Sequence, residues 1–422
     1  MKKKYILGVV LMVILIILIT IFAITASAEN NTTGSVKEIE DEKHLVKRAA
    51  SVSRGLDEND QVNKDTLDEL LNKYAGSGVT TVTEQSSDIL IVKYTASGRE
   101  YPININSGYI ESTSPYLPSG FTYLAATDLD TGLVIQDSLG NQYVWVEVPR
   151  TTEVYPNAGL SITEFTDTEY TSIENDLHTY TSVYRNNTSY TDTWYSEAQH
   201  GFASANEYNE LKKKMLKSIY QNGGFYVGRY EAGTLTARQS SSDTLTTPVI
   251  QANAYPYNFI TNKQAQTLAS TEFATGGYTT SLMFGVQWDL VLKYLETKGA
   301  TQSELNSNST EWGNYYNNTY NITNTSAKYY ISSWLDAPYN KTESGSILLT
   351  AGASSEFSKQ NISDLAGNVY EWTLEYTSST NNPCADRGGC YSYNGSYYPA
   401  SNRDYGTTPI TSRGVGFRVS LF

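Results

Sequence analysis

An almost unbroken apolar run extends from Tyr5 to Ile24, about the length that crosses a bilayer as a helix. Lys2, Lys3 and Lys4 precede it, and such a positive flank stays inside while the rest of the chain is exported. Ala26-Ser27-Ala28 fits a small-residue cleavage site, so residues 1–28 read either as a removable signal peptide or as a retained membrane anchor. From Glu29 to about Gly55 the chain is polar with few apolar anchors, which predicts a stalk or a helical continuation of the membrane segment. Leu67, Leu70, Leu71 and Tyr74 then fall at i, i+3, i+4 and i+7, with Asn63 or Asp65 to cap and Gly76 to end, and predict one amphipathic helix. After it the period shortens to that of strands: Val79 to Val82, Ile89 to Tyr94, and the alternating Tyr101, Ile103 and Ile105, broken by Ser97-Gly98 and Asn106-Ser107-Gly108. Residues 29–116 are therefore expected to hold a stalk and a small helix-plus-sheet unit.

The Pro/Ser/Gly passage from Ser114 to Gly120 marks a boundary, and residues 117–422 form the large domain. Gly132 to Ile135, a turn at Asp137 to Gly140, and Tyr143 to Val148 predict a hairpin. Residues 151–200 are a polar Thr/Tyr/Ser insertion assigned to loops. Tyr208, Leu211, Met215 and Ile219 predict a helix that leads through Gly223-Gly224 into a strand from Phe225 to Glu231, and Trp288, Val291, Leu292 and Leu295 predict a second. These predicted helices and strands go with an expected fold class of α+β.

Composition narrows the function. A formal net charge of −14 at pH 7 works against nucleic acid as a partner, because phosphate neutralisation needs clustered Lys and Arg. Only 18% of residues are charged and 35 are Tyr, a balance that suits recognition surfaces, where Tyr supplies contact area at low entropic cost. His44, His178 and His200 are too scattered for a histidine metal motif or a Ser/His/Asp set. Cys384 and Cys390 are the whole cysteine complement, and in an exported chain their proximity favours one local disulfide, with a pair of buried thiols as the other reading.

The most specific segment is Asp364-Leu365-Ala366-Gly367-Asn368-Val369-Tyr370-Glu371-Trp372, followed by Arg387-Gly388-Gly389 and by Gly416-Phe417-Arg418-Val419. In this order and spacing the three motifs resemble the formylglycine-generating enzyme (sulfatase-modifying factor) family, and Phe225 to Glu231 and Ser281 to Leu295 resemble its upstream elements. The resemblance spans roughly residues 117–422 and implies a fold of C-type-lectin type, with small antiparallel sheets and much irregular structure.

Asp364 and Glu371 are hard carboxylates flanking a glycine-bearing turn, a donor type that suits calcium. The resemblance implies a structural Ca²⁺ held at Asp364, Gly367, Val369 and Glu371; a carboxylate paired with an Arg is the other reading. The family's oxidation chemistry uses two cysteines that bind copper after the Arg-Gly-Gly motif. Alignment on Arg387-Gly388-Gly389 puts Tyr393 and Tyr398 there, and phenols cannot replace the soft thiolates that copper(I) requires. No copper is expected, and catalysis is the lesser expectation. Tyr391, Tyr393, Asn394, Tyr397, Tyr398, Asn402, Arg403 and Tyr405 remain as a dense aromatic and amide surface for a protein or glycan ligand.

The expected function is an exported, cell-surface or secreted ligand-binding protein on a non-catalytic scaffold. An active oxidase and a pilus-like or envelope subunit are the alternatives. Domains of this lineage are also the variable targets of diversity-generating retroelements, which extends the resemblance to variable binding proteins.

Overall fold

The computed structural model describes residues 115–422, apart from 126, 161, 163, 186–187 and 274–277, and ahead of them the backbone of 79–86, 89–94 and 100–104. The predicted signal or anchor segment, the stalk and the helix at Leu67 to Tyr74 lie outside the described residues. Among the described residues, no helix is long and apolar enough to cross a membrane.

The three predicted strands of the small unit are β1 (Val79–Ser86), β2 (Ile89–Tyr94) and β3 (Glu100–Asn104), paired antiparallel in chain order. A division into two compact units falls between Gly120 and Phe121, at the end of the Pro/Ser/Gly passage.

In the large unit, β4 (Phe121–Tyr123), β5 (Val134–Asp137) and β6 (Gln142–Glu147) form an antiparallel meander. Tyr143 to Val146 are all buried, so neither face of β6 meets water, as its unbroken apolar run requires. Helices α1 (Asp167–Tyr180), α2 (Glu197–His200) and α3 (Ala205–Asn222) follow, then β7 (Gly224–Gly228). Next come α4 (Asn262–Thr271), β8 (Thr280–Leu282) and α5 (Gly285–Thr297). The C-terminal strands are β9 (Tyr370–Tyr376), β10 (Cys384–Arg387), β11 (Arg403–Gly406), β12 (Val415–Phe417) and β13 (Val419–Leu421). A six-stranded sheet runs β8-β13-β7-β6-β5-β4 and a four-stranded sheet runs β11-β10-β9-β12. Consecutive β12 and β13 belong to different sheets, so Arg418 between them sits where the two sheets meet.

The structure corrects the assignment of residues 151–200 to loops. Helix α1 lies in that insertion, opened by a capping box in which Thr166 and Glu169 bond each other's backbone, and it buries Ile173, Asp176 and Leu177. The insertion is part of the large unit. Thr191 exchanges backbone hydrogen bonds with Tyr376 at 2.9 and 2.8 Å. The Asp192 carboxylate accepts from the N–H groups of Gly285 at 2.7 Å and Val286 at 3.0 Å, and so caps α5 and offsets its positive end. The predicted strand at Phe225 is also shorter than expected, because the chain leaves the sheet after Gly228 and carries Glu231 inward to Asn368 and Val369.

His200 ends α2, buried against Tyr208 with Nδ1 at 2.9 Å from Asn262 Oδ1. Burial pushes its pKa down to about 4, against the opposing Asn262 contact. The folded state therefore holds this ring neutral while the unfolded chain takes up a proton below its ordinary value of 6.5. Stability contributed by neutral His200 is complete above pH 6.5 and is lost as pH falls toward 4, by about 2 kcal/mol between pH 7 and pH 5. Urea titrations of wild type and His200→Gln across that window should diverge by this amount, and parallel curves would refute it.

Candidate functional site

The three signature motifs converge on the four-stranded sheet, where β12 runs parallel to β9 and the other pairs are antiparallel. One cross-strand row is Glu371, Arg387 and Arg403, and the next is Trp372, Asp386 and Asp404. Alternation along a strand sends these rows to opposite faces.

On the first face lies a buried ion network. Arg387 bonds Asp289 at 2.9 Å and Glu375 at 3.1 Å, Arg403 bonds Asp289 at 2.6 Å and Glu375 at 3.0 Å, and Arg185 bonds Asp289 at 3.1 Å. Asp289, Glu375 and Arg387 are fully buried. Burial raises the Glu375 carboxyl, but Arg403, Arg387 and Arg185 outweigh it and hold it down at about 2. Trp288 places its ring 5.3 Å from the Arg387 guanidinium and donates Nε1–H to the Ala400 carbonyl at 2.9 Å. This arrangement corrects the expectation for Arg403, which is spent on internal ion pairs and is not presented to a ligand.

The opposite face carries Asp386 and Asp404 directly across from each other. Asp386 is 5% exposed and its Oδ1 has no hydrogen-bond partner, and burial together with Asp404 pushes its carboxyl well up despite Arg387. Three tyrosines pack beside the pair: Tyr393 and Tyr398 with ring centroids 4.6 Å apart, and Tyr370 at 6.0 and 6.2 Å from them. Both carboxylates act electrostatically on Tyr370 and on Tyr393. Asp386, Asp404 and Tyr370 were absent from the expected ligand set. Each Asp neighbours an Arg that strand alternation turns to the other face, a signal readable only once β10 and β11 are known to pair.

The expected aromatic surface therefore divides. Tyr393, Tyr397 and Tyr405 are exposed, while Tyr391, Asn394, Tyr398 and Asn402 are half-buried. The Asn394 carbonyl closes a turn by accepting from the N–H groups of Tyr397 and Tyr398. Tyr405 pairs with Ala385 and so projects to the face opposite Asp404.

A family model described as Sulfatase-modifying factor enzyme 1-like domain matches residues 201–421. The chain belongs to this family. Among solved structures it is similar to Treponema denticola variable protein 1, at 14% identity over 78% of this chain and 97% of that chain, with a TM-score of 0.22. A search of curated proteins gave no match.

Within the sulfatase-modifying-factor domain, the residues expected to bind calcium make other contacts. Arg418 donates Nε–H to both Glu371 oxygens at 3.0 and 2.9 Å and Nη2–H to Oε1 at 2.5 Å. Asp364 accepts from the Gly352 N–H at 2.6 Å through Oδ2, which leaves only Oδ1 without a partner. A guanidinium already neutralises the carboxylate that the ion would need, so this set does not fit a calcium cage of converging oxygens.

The disulfide expectation is corrected as well: Cys384 and Cys390 are separate, buried thiols. Cys384 opens β10, and that strand carries the chain away from it at about 3.3 Å per residue before the Gly388-Gly389 turn delivers Cys390, whose Sγ lies 3.1 Å from Ser392 Oγ. Burial pushes the Cys384 thiol up to about 12 and the Cys390 thiol up to about 11, so both stay protonated near neutral pH.

Proposed function

We propose that this chain is an exported binding protein that uses the sulfatase-modifying-factor scaffold without its oxidation chemistry and engages a protein or glycan ligand through the face around Tyr393 to Tyr405. The observation that carries the reading is at the two positions to which the family's copper-binding thiols align. Tyr393 and Tyr398 occupy them, packed ring against ring at 4.6 Å. The two thiols that do exist are buried and protonated, so neither supplies the thiolate that copper(I) or cysteine oxidation needs. Export rests on Lys2 to Lys4 and the apolar run behind them.

An array of glycans and peptides probed with the full-length protein tests the proposal. Tyr393→Ala and Tyr397→Ala remove two exposed tyrosines of this face, at 45% and 75% exposure, and each is expected to cut binding roughly fivefold with no change in melting temperature. A cysteine-containing peptide incubated with the protein, copper and oxygen should come back unaltered. Conversion of its cysteine to an aldehyde would overturn the non-catalytic reading, and binding indifferent to both tyrosines would overturn the face.

A further inference from the structure

We infer that the Asp386–Asp404 pair and the tyrosines around it form a receptor for the cationic side chain of a basic peptide or protein partner, arginine foremost. The inference rests on the binding-protein reading above and names the chemistry of its ligand.

Asp386 and Asp404 are directly opposed on neighbouring strands, where two ionised carboxylates would repel, so the buried Asp386 is held toward its protonated form until a cation reaches the pair. No ion pair within the domain relieves them among the described residues. Arg387 and Arg403, their chain neighbours, are turned to the other face and held there by Asp289 and Glu375. The inner carboxylate is almost wholly buried with Oδ1 unpartnered, although buried polar atoms in folded proteins are nearly always satisfied. A fold that keeps such a pair gives up stability, and functional sites are where that trade is common.

The surroundings specify what would relieve it. A guanidinium lying over the two carboxylates on their shared face neutralises both and donates to each in its fixed fork. Its flat face meets Tyr393 and Tyr398, whose rings attract a cation through their quadrupole. An ammonium satisfies the charge but not the fork. The chain's net charge of −14 favours the approach of basic ligands over acidic ones. Tyr393 is 45% exposed and Asp404 is half-buried, so the outer part of the site opens to solvent.

The test is isothermal titration of the full-length protein with the pentapeptide Ala-Ala-Arg-Ala-Ala, blocked at both ends, and with its lysine, citrulline and norleucine counterparts. The arginine peptide is expected to bind about tenfold or more tightly than the citrulline and norleucine peptides, with lysine between them, and to weaken as salt is added. Asp386→Asn and Asp404→Asn should each abolish the preference for charge. Because each removes one member of this opposed pair, both variants should melt no earlier than wild type, a result that a purely structural role would not give. Equal affinity for the arginine and norleucine peptides would overturn the inference and leave the binding-protein reading standing, as would retention of the preference in both Asn variants. Competition of millimolar calcium against the arginine peptide would overturn it in favour of a metal ion. If none of the four peptides binds, the inference fails, and the array with Tyr393→Ala and Tyr397→Ala decides the broader reading on its own.

Discussion

Arg418→Met is expected to lower the unfolding free energy by about 3–5 kcal/mol, the cost of removing one partner from a buried ion pair. Arg418 is fully buried. Besides its contacts to Glu371, it donates to the Gly228 carbonyl at 2.9 Å and the Ser363 carbonyl at 2.8 Å, so one side chain ties the end of β7, the short strand Ile362–Ser363 and the start of β9. Without it, Glu371, Glu231 and Asp364 share a dry interior with no cation. Burial already raises all three carboxyls, Asp364 to about 7, and Arg418 opposes the rise in each, helped by the Gly352 N–H at Asp364 and by Asn368 at Glu231. Urea denaturation of wild type and variant measures the loss, which should be the same in calcium and in chelator. The double variant Arg418→Met with Glu371→Leu should recover part of it, because replacing both members of a buried pair by apolar groups costs less than orphaning one. Calcium that rescued the single variant, or raised the wild-type midpoint by binding the native state, would show that these carboxylates serve a metal after all.

The elements that the sequence made legible are those whose pattern is local. Helix α3 keeps its apolar residues on one face and is capped by Ser204, whose hydroxyl accepts from the Glu207 N–H. The meander of β1 to β3 and the hairpin of β5 and β6 show strand periods broken by turn residues. Helix α1 escaped because its face is weakly apolar, with only Ile173, Asp176 and Leu177 buried among Thr, Glu and Asn. Its capping box, Thr166 with Glu169, was the local signal available.

At the site, composition and motif order gave the family and the right neighbourhood but not the pairing within it. Which carboxylate meets which arginine depends on register between strands far apart in the chain. Arg403 looked available in sequence and is consumed by Asp289, which comes from α5. Glu371 looked like a metal ligand and is consumed by Arg418, 47 residues later. The cysteines sit only six positions apart, yet extended backbone between them keeps them from meeting. The alternation rule that places Asp386 and Asp404 together applies only once β10 and β11 are known to pair, and that pairing is a long-range fact.

Gly367→Ala is expected to cost roughly 2–5 kcal/mol, from two terms that a control separates. Gly367 has φ +76, a left-handed conformation that costs a residue with a Cβ about 1–2 kcal/mol. A Cβ there would also lie 2.3 Å from the Asn314 carbonyl oxygen and 2.7 Å from its carbon, and forcing such an atom into a packed interior costs about 1–3 kcal/mol more. The obstacle is backbone that cannot swing aside. Asn314 receives the Asn368 N–H at 2.9 Å, and its own amide donates to Ile347 and to Asn368 Oδ1. Asn368 in turn donates to Glu231 at 2.6 Å, which places the added methyl beside the same carboxylate cluster that Arg418 neutralises. Gly159 has φ +70 with nothing within 4 Å of a Cβ, so Gly159→Ala carries the conformational term alone and should cost only about 1–2 kcal/mol. Urea midpoints of the two variants measure the difference. If the two losses match, the close approach at Asn314 is relieved by a small backbone shift; if Gly367→Ala loses far more, the glycine of the signature motif is required because two strands of main chain touch across it.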